Sequence, residues 1–104
     1  MKKELVDAVW EHGRTLPEAD PALWRQDACG AWMRRDQYGL ESSDFGWRAE
    51  NISAGGPDTP GNLRPFHWRN RYGVADGRPH CRISADRSGV PAEKYVRPPR
   101  NRTI

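Results

Sequence analysis

The sequence predicts a small α+β single domain with an N-terminal helix, short strands and a flexible, basic C-terminal tail. The chain has 104 residues, the size of one domain, and its ten glycines and nine prolines favour short elements. The first thirteen residues have the pattern of an amphipathic helix, and runs over 31–34 and 47–52 have strand length. We predict an amphipathic helix and linker over 1–19, the main fold over 20–86 and a basic tail over 87–104.

The first segment, "MKKELVDAVWEHG", has the pattern of an amphipathic helix. Leu5 and Val9, and Val6 and Trp10, form two i, i+4 pairs on one face, and Gly13 is placed to end the helix. Acidic residues interrupt the apolar run that a secretory signal needs. We therefore predict no export signal, no membrane partner and a cytoplasmic location.

A short turn of helix, two strands and one further helix are predicted next. Asp20 as N-cap and Pro21 at the first helical position indicate a short turn of helix within 20–27 that carries Trp24 inward. Apolar runs predict strands over 31–34 and 47–52. After a glycine- and proline-rich loop, a helix is predicted from Asn62 to near Gly73, since Pro65 would fall in its first turn, where no hydrogen bond is lost.

The end of the chain is predicted to contain a closing strand over 81–84, followed by the tail, which has no apolar pattern to hold it down. Without export, Cys29 and Cys81 should be thiols. His80 and Cys81 are adjacent and could be read as a ligand pair. Neighbours in a strand point to opposite faces, however, which favours a buried cysteine and an exposed histidine.

Charge is distributed unequally along the chain. Residues 1–46 hold six Lys or Arg against nine Asp or Glu, whereas residues 47–104 hold eleven against five, and ten of those eleven are arginine. Arginine suits bidentate phosphate contacts, so nucleic acid is one predicted partner. A basic surface that serves only solubility is the other interpretation of the same charge.

Several blocks of the sequence, taken together, resemble the HNH endonucleases, in the branch without zinc-binding cysteines. The blocks are "DACGAWMRRDQYG", "FGWRAENI", "GG" and "NLRPFHWRN", and the resemblance spans roughly 24–83. It implies an HNH-like ββα (treble-clef-like) finger, in which two strands, a loop and a helix surround one divalent ion.

The resemblance also implies a catalytic set, which this sequence lacks in part. In the family, a neutral histidine activates water while a carboxylate and a helix side chain hold Mg²⁺. The acid and base positions fall on Glu50 and Asn51, the loop asparagine on Asn62 and the second metal position on Arg71, or on Asn70 if the register shifts by one. An amide cannot act as a base near neutral pH, and a guanidinium offers no lone pair to a metal ion.

We therefore predict a catalytically inactive HNH-like domain that binds no cofactor. Glu50 and Asn70 are predicted to be the remaining residues of a former metal site. Losing a general base alone costs about 10²- to 10⁴-fold in rate. Glu50 and Arg71 are predicted to form an ion pair where the metal would sit. The domain would bind nucleic acid, most simply DNA, through five arginines: Arg48, Arg64, Arg69, Arg71 and Arg78.

Two alternatives stay open. One is a protein-interaction or inhibitor module on the same scaffold, which would show an exposed aromatic patch from Trp10, Tyr38, Tyr72 or Tyr95. The other is a divergent, active Mg²⁺-dependent DNA endonuclease with a substitute base. His67 or His80 would supply that base.

Overall fold

The computed structural model describes residues 1–86 and 99–104, and within them it contains one α-helix and eight short strands. The strands pair as four two-stranded antiparallel sheets, β1 with β2, β3 with β4, β5 with β6 and β7 with β8. The predicted α+β class is confirmed. The bounds are α1 Lys3–Trp10, β1 Trp24–Gln26, β2 Trp32–Arg34, β3 Trp47–Asn51, β4 Leu63–His67, β5 Arg71–Gly73, β6 Arg78–His80, β7 Ile83–Ala85 and β8 Asn101–Thr103.

Helix α1 forms where its periodicity predicted and packs against the longest strand pair, β3–β4. Its buried face carries Val6, Val9 and Trp10, and the Trp10 ring lies 5.1 Å from the ring of Trp47, which is 0% exposed. Large aromatic side chains thus supply much of a small core, at roughly 25 cal/mol per Å² of apolar surface buried. No helix in the described ranges has the length and apolar character needed to cross a membrane.

The predicted short turn of helix within 20–27 forms as a single hydrogen-bonded turn, closed by the bond from the N–H of Trp24 to the carbonyl of Asp20 at 2.8 Å. Asp20 caps this turn, since its Oδ1 accepts a hydrogen bond from the backbone N–H of Ala22 at 3.0 Å. Trp24 then begins β1, which pairs with β2, and its ring packs edge-on against Phe45 at 4.8 Å. Pairing with β2 continues the chain as a strand directly after the turn.

The predicted helix over 62–73 is wrong, because this segment folds as β4, a turn and β5. Strand β4 pairs with β3 in a register that places Trp47 opposite His67, and it buries Leu63 and Phe66. Pro65 is tolerated because each strand of a two-stranded sheet has a free edge where a missing N–H costs no ladder bond. The helix implied by the ββα finger is therefore not formed by these residues.

The C-terminal part differs from the predicted single closing strand and free tail. Strands β6 and β7 flank Cys81 and Arg82, and β8 pairs with β7. Asn101 attaches the chain end to the body, because its side chain accepts from the N–H of Trp32 at 2.7 Å and donates to the carbonyl of Trp32 at 2.9 Å. Residues 99–104 are thus held down, while 87–98 of the predicted tail lie outside the described residues.

The two cysteines form a disulfide, so the prediction of free thiols is wrong. Cys29 and Cys81 have Cα atoms 5.5 Å apart and join positions separated by 52 residues. The hydrogen bond from Ser84 Oγ to the Cys29 carbonyl, at 3.0 Å, brings the two segments together. The predicted burial is reversed as well, since Cys81 is exposed and His80 is half-buried.

Candidate nucleic-acid interface

An open groove of about 700 Å³ lies where the β5–β6 hairpin meets the turn after β4. Its lining is dominated by arginine, which carries a permanent positive charge and five N–H donors. The five arginines come from three separate stretches of the chain, and Trp68 and His80 also line the groove. They are Arg48, Arg69, Arg71, Arg78 and Arg82.

The hairpin register explains why several of these side chains face the same way. Arg71 lies opposite His80, and Gly73 lies opposite Arg78. Residues directly opposite each other in an antiparallel pair share a face, and residues two apart along a strand share it too. Tyr72 takes the other face and lies 6.4 Å from Phe66, ring to ring, so it anchors the hairpin while the charged face stays free.

The groove keeps most of its positive charge. Arg69, Arg71 and Arg82 form no ion pair with another residue in the described part of the chain. Arg48 contacts two carboxylates, Glu41 and Glu50, each at 3.4 Å, and Arg78 contacts Asp76 at 3.3 Å. Exposed or half-exposed pairs of this kind are weak and can be exchanged for phosphate.

Four of the five arginines predicted to bind nucleic acid therefore meet in one place. Arg64 does not, because its Nη1 donates to backbone carbonyls of its own loop, at 2.8 Å to Leu63 and 3.3 Å to Gly61. Arg82 was missed by sequence reasoning. It could have been noted as an arginine within the predicted closing strand over 81–84.

The contacts of Glu50 differ from the predicted ion pair with Arg71. One carboxylate oxygen accepts from the backbone N–H of Tyr72 at 3.3 Å, and the other pairs with Arg48 Nε at 3.4 Å. The predicted ion pair with Arg71 is not formed among these described side chains, because Arg71 extends from β5 into the groove beside His80. Glu50 thus ties β3 to β5 and orients one groove arginine.

Asn51 and Asn62 close the glycine-rich loop. Asn51 Nδ2 donates to Asp58 Oδ1 at 3.2 Å, and Asn62 Nδ2 donates both to Asn51 Oδ1 and to the carbonyl of Pro57, the latter at 3.0 Å. Gly56 is needed for this contact, since a Cβ there would lie 2.2 Å from Asn62 Nδ2. The position where the HNH resemblance expects a base is occupied by a side chain that fastens a loop.

Asn70 is 0% exposed, and its side chain makes four hydrogen bonds. Its Oδ1 accepts from the N–H groups of Arg82 at 2.7 Å and Ile83 at 3.0 Å. Its Nδ2 donates to the carbonyl of Ile83 at 3.0 Å and to Asp27 Oδ2 at 2.9 Å. The amide oxygen that a metal ion would need is already in use. The described residues also contain no group of three or more His, Cys, Asp or Glu placed to hold a metal ion.

Asp27 is the buried partner of Asn70, and sequence reasoning missed it. Its Oδ1 accepts from the N–H groups of Cys29 and Ala31, both at 2.9 Å, and its Oδ2 also accepts from the N–H of His67 at 3.0 Å. Burial raises the pKa of this carboxyl, and the hydrogen bonds that it accepts offset part of that effect. Asp27 and Asn70 together connect the β1–β2 turn, the end of β4 and the start of β7.

His67 is 2% exposed and both of its ring nitrogens are used. Nε2 donates to the carbonyl of Asp44 at 2.9 Å, and Nδ1 accepts from the N–H of Arg69 at 3.1 Å. This pattern requires the neutral ring, and burial lowers the pKa of His67 from 6.5. His67 is therefore not free to serve as a substitute catalytic base.

The buried, neutral His67 makes the free energy of unfolding depend on pH. A histidine whose pKa is lowered by folding contributes stability above its unfolded pKa of 6.5, and that stability is lost as the pH falls through the folded pKa. We expect stability to fall below pH 6.5 by at most about 1.4 kcal/mol per pH unit from this group. Urea titrations of wild type and His67→Gln between neutral and mildly acidic pH check this. An unchanged slope in the variant would contradict it.

The fold and the groove define a small α+β domain that presents an arginine-lined surface built around a β-hairpin. Comparison of the chain with family models, curated proteins and solved structures found no match. The function must therefore be inferred from the groove itself.

Proposed function

We propose that this domain binds nucleic acid through the arginine-lined groove and does not cleave DNA. The observation that carries the proposal is the convergence of Arg48, Arg69, Arg71, Arg78 and Arg82 on one open groove. Phosphate contacts from arginine supply sequence-independent affinity. The β5–β6 hairpin suits this use, because Tyr72 packs one face against Phe66 while Arg71 and Arg78 lie on the opposite face.

The absence of DNA cleavage is proposed from the residues at the positions that the HNH resemblance marks. Asn51 fastens the loop, Asn70 is buried with its amide oxygen in use, and Arg71 lines the groove as a cation. None of these can supply a base or hold a metal ion as they stand. We include in the proposal that the domain is related to the HNH endonucleases. The support for this relationship is the set of sequence blocks between residues 24 and 83.

The protein-interaction alternative receives less support from the described aromatic residues. Trp10 is only 4% exposed, and Tyr38 packs with its ring 4.9 Å from that of Trp47. Tyr72 is half-buried against Phe66, and Tyr95 lies outside the described residues. The first three do not assemble into an exposed aromatic patch, so we propose nucleic acid as the partner.

Duplex DNA binding should weaken when groove arginines are neutralised. We expect Arg71→Gln and Arg82→Gln each to reduce affinity for a short labelled duplex. Each should also reduce the slope of log K against log salt by about 0.9, because one phosphate contact is lost. Fluorescence anisotropy between about 50 and 200 mM salt measures both quantities.

Arg14→Gln is the matched control for this experiment, because Arg14 is exposed but does not line the groove. It should bind like wild type. Absence of binding at low salt, or an equal loss in Arg14→Gln, would contradict the proposed site.

A plasmid-nicking assay with Mg²⁺ or Mn²⁺ tests the second half of the proposal, that the domain does not cleave DNA. Nicking by wild type that a chelator abolishes would reject it.

A further inference from the structure

One histidine in the groove, His80, is held by a carboxylate in a way that the binding function does not use. His80 Nε2 lies 2.9 Å from Asp76 Oδ2 and 3.1 Å from Asp76 Oδ1. Asp76 lies in the turn between β5 and β6, four residues before the histidine. Hydrogen bonding to His80 is the main cause that lowers the pKa of Asp76, so the carboxyl stays ionised.

The Asp76–His80 pair occupies the space that a side chain at residue 73 would take. A Cβ at Gly73 would lie 2.3 Å from His80 Nε2 and 2.4 Å from Asp76 Oδ1, far inside van der Waals contact. Residue 77 is also glycine and adopts φ +67°, a left-handed conformation that lets the turn bring Asp76 back over the strand. The local backbone is thus compatible with an Asp–His contact that a side chain at residue 73 would disrupt.

The hydrogen bond assigns the proton on the imidazole ring. An ionised carboxylate only accepts hydrogen bonds, so Nε2 carries a proton, and in the neutral form of the ring Nδ1 carries the lone pair. Nδ1 has no hydrogen-bond partner among the residues that the structure describes. His80 therefore has the hydrogen bonding of a general base whose orientation is set by a carboxylate.

Phosphate-binding groups surround this histidine. Arg71 lies directly opposite His80 in the β5–β6 pair, and Arg78 lies two residues before it on the same face of the hairpin. Arg82 lines the same groove. A phosphodiester bound by Arg71 would lie beside the imidazole across the strand pair, and developing charge on its oxygens would be stabilised by the guanidinium groups.

We propose that His80, positioned by Asp76, is the general base of a metal-independent site that cleaves single-stranded RNA bound in the arginine-lined groove. This inference rests on the proposed nucleic-acid binding. Only RNA carries the 2′-hydroxyl that can act as an internal nucleophile without a metal-bound water. The proposal is thus compatible with a groove that binds DNA and leaves it intact.

The step balances without an external reagent. His80 Nδ1 takes the proton of the ribose 2′-hydroxyl while the 2′-oxygen forms a bond to phosphorus. The bond between phosphorus and the 5′-oxygen breaks, and that oxygen takes a proton from water. The products are a 2′,3′-cyclic phosphate and a 5′-hydroxyl end, and the imidazolium returns its proton to solvent. A single strand is specified because its backbone can align the 2′-oxygen in line with the leaving oxygen.

The test incubates the full chain with an end-labelled single-stranded RNA in excess EDTA, alongside DNA of the same sequence. We expect cyclic-phosphate products from RNA and none from DNA. His80→Gln should lower the cleavage rate by about 10²- to 10⁴-fold, and the rate is measured at saturating protein so that any change in affinity is separated from it. His12→Gln is the matched control, because His12 is exposed and lies outside the groove.

Asp76 is a positioning residue, and its role can be separated from simple structural support. Asp76→Asn should lower kcat with little change in KM, since the arginines that bind RNA remain. Gly73→Ala should have the same effect by displacing the pair. Thermal melts identify any variant that has lost its fold.

The outcomes separate this proposal from the binding function on which it rests. If wild type binds the DNA strand but leaves RNA intact, the cleavage proposal is overturned and binding stands. If it binds neither strand, both are overturned. RNA cleavage that requires a divalent metal, or that persists in His80→Gln, also overturns the assignment of His80.

Discussion

Removal of the Cys29–Cys81 disulfide is expected to lower the free energy of unfolding by about 4 kcal/mol. The bridge joins positions separated by 52 residues, half of the chain, and closing a loop of that length removes much conformational entropy from the unfolded state. The total free energy of unfolding of a small domain is about 5–15 kcal/mol, so this loss would be a large part of it. Urea unfolding of a Cys29→Ala, Cys81→Ala variant, followed by tryptophan fluorescence, measures the loss.

The matched comparison for this prediction is wild type with and without a thiol reductant. Reduced wild type should unfold at the same urea concentration as the double variant, and the double variant itself should not respond to the reductant. If the reductant leaves the midpoint of wild type unchanged after full reduction is verified by thiol titration, the disulfide contributes nothing and the prediction fails.

Replacing Asn70 by alanine is expected to destabilise the domain by about 3–5 kcal/mol. The fully buried amide makes four hydrogen bonds, and its loss leaves the N–H groups of Arg82 and Ile83 and one oxygen of Asp27 short of partners. Each buried polar group left unsatisfied costs about 1–3 kcal/mol. Chemical unfolding of the oxidised protein gives the difference directly.

Gln37→Ala is the control for Asn70→Ala, because the Gln37 amide makes one exposed side-chain hydrogen bond, to Asp36 at 3.4 Å. Its effect should remain within about 0.5 kcal/mol. A loss below about 1 kcal/mol for Asn70→Ala would mean that water replaces the amide, and that the connection between Asp27, β4 and β7 is less important than its burial indicates.

The parts of the fold that local patterns control agree with the structure. Helix α1 forms over Lys3–Trp10 because its apolar spacing and packing surface coincide, and the strands near 31–34 and 47–52 form where apolar runs predicted them. The segment 62–73 is different. Its start resembles a helix N-terminus, but pairing with β3 buries Leu63 and Phe66, and no local signal reports that long-range contact.

The sequence by itself determined the composition of the groove, an arginine-rich second half with few lysines, and placed an amide, which is not a base near neutral pH, at position 51. Only the tertiary structure decided which arginines act together. The β5–β6 register places Arg71 with His80 on one face, the loop captures Arg64, and Asn70 draws Arg82 to the edge of the groove. Charge is a property of each residue, whereas a binding surface depends on side chains distant in sequence being aligned by strand pairing and buried hydrogen bonds.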